Sequence, residues 1–208
     1  MNPTQRSSEW FAERWGLATA SKFNDIIAKT RSGYAASRKN YMAQLLVERL
    51  TPPPTEDNGW KNDAMQFGID NEPVARLAYE LETGNTVEEA FFEKHPALKA
   101  GASPDGYIGK DGLIEIKVPN LATHLETLKT KEVPTRYYTQ VQGQLWITGR
   151  QWCDFVSYTP FLENDAQLFV KRVKADRKFI HDLQAEVKLF LKELDKEVKF
   201  VQNYKRRK

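Results

Sequence analysis

The apolar positions along the chain alternate between helical and strand spacing, and the breaks between them fall at glycine and proline. Ser7 or Ser8 can cap a short helix through Arg14 that Gly16 ends, and Thr19 or Ser21 can cap a second helix running to about Ala28. Short hydroxyl side chains accept from the free amides of a first helical turn, and glycine tolerates the left-handed exit. The polar stretch Thr30 to Ser37, with Gly33 inside it, reads as a loop. Tyr41, Leu45, Leu46 and Leu50 then repeat at helical spacing until Pro52, Pro53 and Pro54 stop them. From about Asp63 to Leu81 a further helical pattern carries Gly68, Glu72 and Pro73. The proline either starts a new helix or kinks one, interrupting the backbone order beside Glu72.

Segments 86 to 93, 100 to 108 and 113 to 118 read as strands. So do Gln151 to Thr159, rich in aromatic and β-branched residues, and Leu168 to Val173. Helical patterns fill roughly 121 to 130 and 134 to 147, and the last helix carries Phe179, Leu183, Val187, Leu191, Leu194 and Val198 along one stripe. About five strands between helices predict a mixed α/β domain.

Composition narrows the class without naming it. At 208 residues the chain suits a single domain, 1–208, with a short basic tail at 205–208 that reads as a solvated end. Apolar residues make up 40% and charged residues 28%, and no apolar stretch approaches the roughly 18 residues of a membrane span. The first residues lack the basic start and apolar run of a secretory signal, and Cys153 has no second cysteine to pair with. A reducing cytoplasm is the expected location. A net charge of +3 permits a nucleic-acid partner without arguing for one, since that inference needs a concentrated basic patch. His95, His124 and His181 have no ligand spacing, so they read as solvated or satisfied histidines, and Cys153 as packing.

The segment Ser103 to Pro119 holds the chemistry. Two strand-like runs flank a glycine-bounded turn, the pattern of a β-hairpin. Along its second strand Glu115 and Lys117 share one side, while Ile114, Ile116 and Val118 share the apolar other. An odd turn centred on Lys110 puts Asp105 opposite Glu115, whereas an even turn would separate them; the odd turn is expected. Facing carboxylates repel unless a cation lies between them, and oxygen ligands suit the hard ion Mg²⁺. A surface hairpin with an ordinary Glu–Lys ladder is the plainer reading of the same residues.

Pro104-Asp105 followed by Glu115-Ile116-Lys117 resembles the motif of the PD-(D/E)xK nucleases. A wider pattern is similar to the phage lambda exonuclease and YqaJ-type viral recombinase family. It comprises Glu9-Trp10 through Arg14, Gly16, Thr19-Ala20-Ser21, Ile27-Ala28-Lys29, Arg31-Ser32-Gly33, Gly68 with Glu72, Ser103 to Gly106, Pro119, and Gln140-Val141-Gln142 with Trp146. This likeness covers roughly residues 7 to 160.

The resemblance implies a restriction-endonuclease-like fold, a mixed central β-sheet flanked by helices. It implies a Mg²⁺-dependent 5′-to-3′ exonuclease, with two ions and Mn²⁺ as a substitute, degrading one strand of double-stranded DNA to 5′-mononucleotides. Asp105, Glu115 and the Ile116 carbonyl become metal ligands, Glu72 helps hold a second ion, and Lys117 activates the water. Gln140, with Tyr137 and Gln144 on the same helix face, would orient Lys117 or the water. Arg14 and Ser21 take the terminal 5′-phosphate, chemistry that an arginine beside a hydroxyl suits. Arg31 grips DNA ahead of the cut, and Met65 is either a wedge between terminal base pairs or core. The same likeness implies a homotrimeric ring, a single-strand annealing protein as partner, and a phage or prophage origin in a bacterial host. Gly143 stands where the family pattern has tyrosine, and Pro73 where it has no proline. A PD-(D/E)xK endonuclease and a catalytically silent DNA-end-binding module are the alternatives.

Overall fold

The computed structural model describes residue 3, residue 5 and residues 7–54 and 63–204, with the side chain of Asn164 excepted. The basic tail therefore lies outside the described residues. Helix α1 (Ser8–Arg14) is capped by Ser7, whose hydroxyl accepts from Trp10 N, and strand β1 (Ala18–Thr19) follows. A 3₁₀ turn (Ala20–Lys22) leads into helix α2 (Phe23–Ile27). Neither Thr19 nor Ser21 caps α2 as expected; their hydroxyls lie 3.3 Å apart and bond each other. The stretch expected as a loop holds a small hairpin, β2 (Lys29–Thr30) with β3 (Gly33–Tyr34), whose turn contains Arg31. Helix α3 (Ala36–Leu50) ends before the three prolines.

Helix α4 (Asp63–Thr83) runs through Pro73 as one helix. The proline deletes one amide donor, so the expected interruption is a single missing hydrogen bond. Strand expectations fared less evenly. Residues 86 to 93 hold only an isolated bridge, Glu88 to Tyr107, and the start of β4 (Glu93–Lys94). The run 100 to 108 splits into β5 (Ala100–Ala102) and β6 (Gly106–Ile108), which belong to different sheets. Strand β7 (Gly112–Lys117) precedes helices α5 (Leu121–Thr130) and α6 (Thr135–Thr148). Strands β8 (Trp152–Tyr158) and β9 (Leu168–Lys174) and helix α7 (Arg177–Gln202) complete the described chain.

The main sheet has the order β6-β7-β8-β9, with β7 and β8 parallel and the other pairs antiparallel. Both of its faces are covered. Ile114, Ile116 and Val156 pack with Ala75 and Tyr79 of α4 on one face, and Leu113, Cys153 and Phe155 with Val141 and Leu145 of α6 on the other. The strand side expected to be chemistry alone is thus buried around its polar residues. A third core joins α2, α3 and α7 to the small sheet β1-β5-β4 through Phe23, Tyr41, Ala100 and Phe190. Among the described residues no helix is long and apolar enough to cross a membrane.

Candidate active site

The hairpin register places the two acids. Gly106 pairs with Ile114, Tyr107 with Leu113 and Ile108 with Gly112, so the turn is odd and centred on Lys110. Asp105 N donates to Ile114 O at 3.1 Å, one residue out of that register, so the ladder ends at Gly106, and Asp105 lies close enough to Glu115 for the two charges to interact. Asp105 Oδ2 accepts from Ile116 N at 2.7 Å. Because the N–H and C=O of one strand residue leave by the same edge, the Ile116 carbonyl is directed to the edge that Asp105 occupies.

Glu115 is 1% exposed, and its oxygens are taken up by three side chains. Gln140 Nε2 donates to Oε1 at 2.5 Å, Gln144 Nε2 to Oε2 at 2.5 Å, and the Lys117 ammonium pairs with Oε1. Gln140, expected to orient Lys117 or a water, and Gln144 both hold the Glu115 carboxylate, on which Lys117 also sits. Tyr137, on the same face of α6, stacks on Phe155 and lies under the Lys117 ammonium, whose nitrogen is 5.5 Å from the ring centre. Burial, then the charge of Glu115, push the Asp105 carboxyl well above the usual carboxylate range, while Lys117 pulls the other way and Glu72 adds to the rise. Burial works against the Lys117 charge, yet Glu115 and Asp105 outweigh it and hold the ammonium more firmly protonated than a free lysine. Lys117 is therefore a fixed cation here, suited to stabilising negative charge.

Glu72 is brought within electrostatic reach of Asp105 because α4 is pinned there. Arg76, one turn further along, donates from Nη2 to the Asp105 carbonyl at 2.6 Å. On the far side of the sheet Tyr79 donates to Asp154 Oδ2 at 2.6 Å, and Arg172 holds both Asp154 oxygens at 2.8 Å. Among the described residues no three His, Cys, Asp or Glu side chains converge as a ready-made metal group. The donor chemistry nonetheless fits a hard divalent cation: two facing carboxylates, one with raised proton affinity, and a carbonyl on the shared edge.

Beside the acids lies a cavity of about 110 Å³, lined by Gln5, Trp10, Arg14, Ser21, Ser103, Gln140 and Gln144 among others. Arg14 stacks over the Trp10 ring, its guanidinium carbon 4.0 Å from the centre, and donates from Nη1 to Ser103 Oγ at 2.9 Å. Burial lowers its pKa to about 10, so it stays charged at neutral pH. Ser103 stands within the quoted motif, but spacing gives no reason to pair it with Arg14, which lies far away in sequence. A larger cavity of about 420 Å³ shares Arg14, Thr19 and Ser21 but is mainly apolar, with Phe11, Trp15, Tyr41 and Leu45 in its wall. It holds none of the acid–lysine set.

Other expected residues lie apart from this cluster. Arg31 is exposed at the tip of the β2–β3 hairpin. Met65 is 53% exposed in the first turn of α4, which excludes a core role. Gly143 explains the lost tyrosine: a Cβ there would meet Phe23 Cδ2 at 2.5 Å, so α6 and α2 touch at this point. His124 is satisfied between Ser157 Oγ and Ala166 O, and Cys153 is fully buried.

Comparison with known proteins converges on one family. The YqaJ-like viral recombinase domain matches residues 9–151. The crystal structure of an alkaline exonuclease, LHK-Exo, from Laribacter hongkongensis is 46% identical, covering 94% of this chain and 96% of that one with a TM-score of 0.86. The same enzyme in complex with dAMP is 45% identical over the same shares of both chains, again at 0.86. A phage-related exonuclease from Haemophilus somnus 129PT shares the fold at 12% identity, with a TM-score of 0.68 over 89% of this chain and 96% of that one. None of the curated proteins compared matches the chain. On the matched span and on the overlap with a relative of this identity, the chain belongs to the YqaJ-like viral recombinase domain family.

Proposed function

We propose that this protein is a Mg²⁺-dependent 5′-to-3′ exonuclease that degrades one strand of double-stranded DNA from its end, releasing 5′-mononucleotides and leaving a 3′ tail for recombination. That it is a DNA exonuclease rests on family membership and on the likeness to an alkaline exonuclease over nearly the whole chain. The finer reading rests on one observation: the facing pair Asp105 and Glu115, with Lys117 on it, opens beside a cavity holding a charged, half-buried Arg14. A phosphate at Arg14, Ser21 and Ser103 would set the next phosphodiester towards the acids.

Asp105, Glu115 and the Ile116 carbonyl would hold Mg²⁺, with Glu72 towards a second ion and Mn²⁺ as a substitute; bound there, it supplies a lowered water pKa and neutralises phosphate charge. Lys117 would stabilise the negative charge that grows on the attacking oxygen and on the phosphate oxygens. Gln140 fixes the Glu115 carboxylate, and Tyr137 keeps Lys117 in place. Water oxygen attacks phosphorus and gives up a proton to solvent, the bond to the 3′ oxygen breaks, and that oxygen takes up a proton from solvent. Arg31 and Met65, both exposed, are assigned to the duplex ahead of the cut. A homotrimeric ring, a single-strand annealing partner and a place in the cytoplasm of a phage's bacterial host complete the proposal.

Its test is Mg²⁺-dependent digestion of linear duplex labelled at either the 5′ or the 3′ end, beside a closed circle and the Lys117→Ala variant. Early release of the 5′ label, a surviving circle and a variant slowed by about 10² to 10³ are expected. Cutting of the circle would make it an endonuclease. No Mg²⁺-dependent cutting would leave an end-binding module.

A further inference from the structure

Gln144 is 1% exposed on α6, and its two ends face different things. Nε2 donates to Glu115 Oε2 at 2.5 Å and more weakly to Ser103 O at 3.4 Å. Since a carboxylate and a carbonyl only accept, the amide cannot be turned over without losing both contacts. Oε1 must therefore be the other end, and among the described residues nothing donates to it. A buried acceptor left in that state is unfavourable, so its partner is to be sought in the cavity it lines.

That cavity is the one under Arg14. Trp10, 8% exposed, lines it too, and its Nε1–H also has no acceptor among the described residues. A volume of about 110 Å³ has room for more than one water, whose share of liquid is about 30 Å³. A hydrated phosphate fits both orphans. A phosphate oxygen, or a water on it, accepts from Trp10 Nε1, and the same water donates to Gln144 Oε1. The planar amide then transmits the position of its Oε1 to its Nε2, and so to Glu115.

We propose that Gln144 is a positioning residue that couples occupancy of the Arg14 cavity by a terminal phosphate to the placement of the Glu115 carboxylate. Phosphate at the strand end then raises turnover as well as binding. This rests on the end-recognition reading above. Gln140 also lines the cavity and holds Glu115, but of these two amides only Gln144 has a buried atom with no partner among the described residues.

The experiment compares matched duplexes bearing a 5′-phosphate or a 5′-hydroxyl, with the unmutated enzyme, Gln144→Met and Trp10→Phe, each checked for an unchanged melting temperature. Single-turnover rates are measured with Mg²⁺, and binding is measured by fluorescence anisotropy without metal. In the unmutated enzyme phosphate should raise both affinity and turnover. Gln144→Met should keep the phosphate advantage in binding and lose about tenfold of the advantage in turnover, the size of one hydrogen bond to a charged group. Trp10→Phe, which keeps a ring under Arg14, should lose part of both advantages. If Gln144→Met slows both substrates by one factor, the residue is structural and the coupling is wrong. If it loses phosphate affinity instead, Gln144 is a direct ligand and the coupling is again wrong. An unmutated enzyme indifferent to the end group would overturn the end-recognition reading itself. If Gln144→Met melts early, Trp10→Phe alone decides: an undiminished phosphate advantage in turnover refutes the bridge.

Discussion

Arg76 donates from Nη2 to the main-chain oxygen of Asp105 at 2.6 Å, from one turn past Glu72 on the same helix. This bond fixes the distance between the hairpin acid and the helix acid, which lie on elements far apart in sequence. Replacing Arg76 with leucine keeps apolar packing along the stem but frees the carbonyl. Arg76→Leu is therefore expected to raise the Mg²⁺ concentration needed for half-maximal rate and to slow turnover by about tenfold, the cost of one charge-assisted hydrogen bond. Rate measured against Mg²⁺ concentration checks this; a curve superimposing on that of the unmutated enzyme would dismiss the link.

Asp105 sits in an environment that favours its neutral form, first by burial and then by the charge of Glu115. Its folded-state pKa is raised, so its contribution to stability is fully present below the unfolded value and is lost as pH rises through the folded value. Asp105→Asn removes that loss while an amide oxygen can still accept from Ile116 N. The metal-free variant should melt a few degrees higher than the unmutated protein at neutral pH, and the gap should close as pH is lowered into the acid range. Scanning calorimetry without metal across that range is the measurement. Added Mg²⁺ should stabilise the unmutated protein and leave the variant's melting temperature nearly where it was. A variant that melts lower at neutral pH would show that the acid is not strained.

How much of this was legible beforehand depends on the range of the interactions. The hairpin register followed from the glycine-bounded turn and from the alternation of Ile114, Glu115, Ile116 and Lys117, all local signals. Helices α3, α5, α6 and α7 likewise declare themselves through spacing, prolines and glycines. The split of 100 to 108 was hidden, because Ala100 and Gly101 pair with β1, a strand distant in sequence that a residue pattern cannot reveal. Gly101 marks the crowding: a Cβ there would fall 2.2 Å from Phe92 Cζ. The partners of Glu115 were only half legible. Helical spacing puts Tyr137, Gln140 and Gln144 on one face, but only the tertiary packing of α6 on β7 shows that two amides meet one carboxylate. Arg76 and Ser103 carry no sequence signal for their roles, since each acts on a residue that the fold alone brings near.

The contact between α6 and α2 at Gly143 lies beside the cavity that holds Arg14, whose lining includes Ala20 and Gln140. A methyl group there would meet Phe23 at 2.5 Å and Ala20 Cβ at 3.3 Å, and Phe23 is fully buried with no room to swing. Gly143→Ala gains about 1 kcal/mol of helix propensity but loses about 1–3 kcal/mol to overpacking, a net destabilisation where the upper part of that range applies. Because Phe23 directly follows the turn that carries Ser21, the shift should also weaken the preference for phosphorylated ends. Denaturant midpoints and paired substrates test both effects. A midpoint equal to or above that of the unmutated protein would mean that α2 yields without cost.

On the proposed reading, in which a terminal phosphate binds at Arg14, the charge of Arg14 sets the pH range over which that phosphate is recognised. The phosphate gains its second charge near about pH 6. The guanidinium keeps its own charge until pH approaches about 10, where burial has lowered its pKa. The rate advantage of a 5′-phosphate over a 5′-hydroxyl end should therefore rise through the lower value, stay level across neutral and mildly alkaline pH, and decline towards the upper one. Arg14→Ala should flatten this profile, with both ends cut at the rate of the hydroxyl substrate. Arg14→Lys restores a charge but neither the planar fork nor the stack on Trp10, so its advantage should be intermediate and its binding weaker. Initial rates on paired substrates across the pH series decide the matter. A phosphate advantage that survives in Arg14→Ala, or that tracks pH identically in both proteins, would place end recognition elsewhere on the surface.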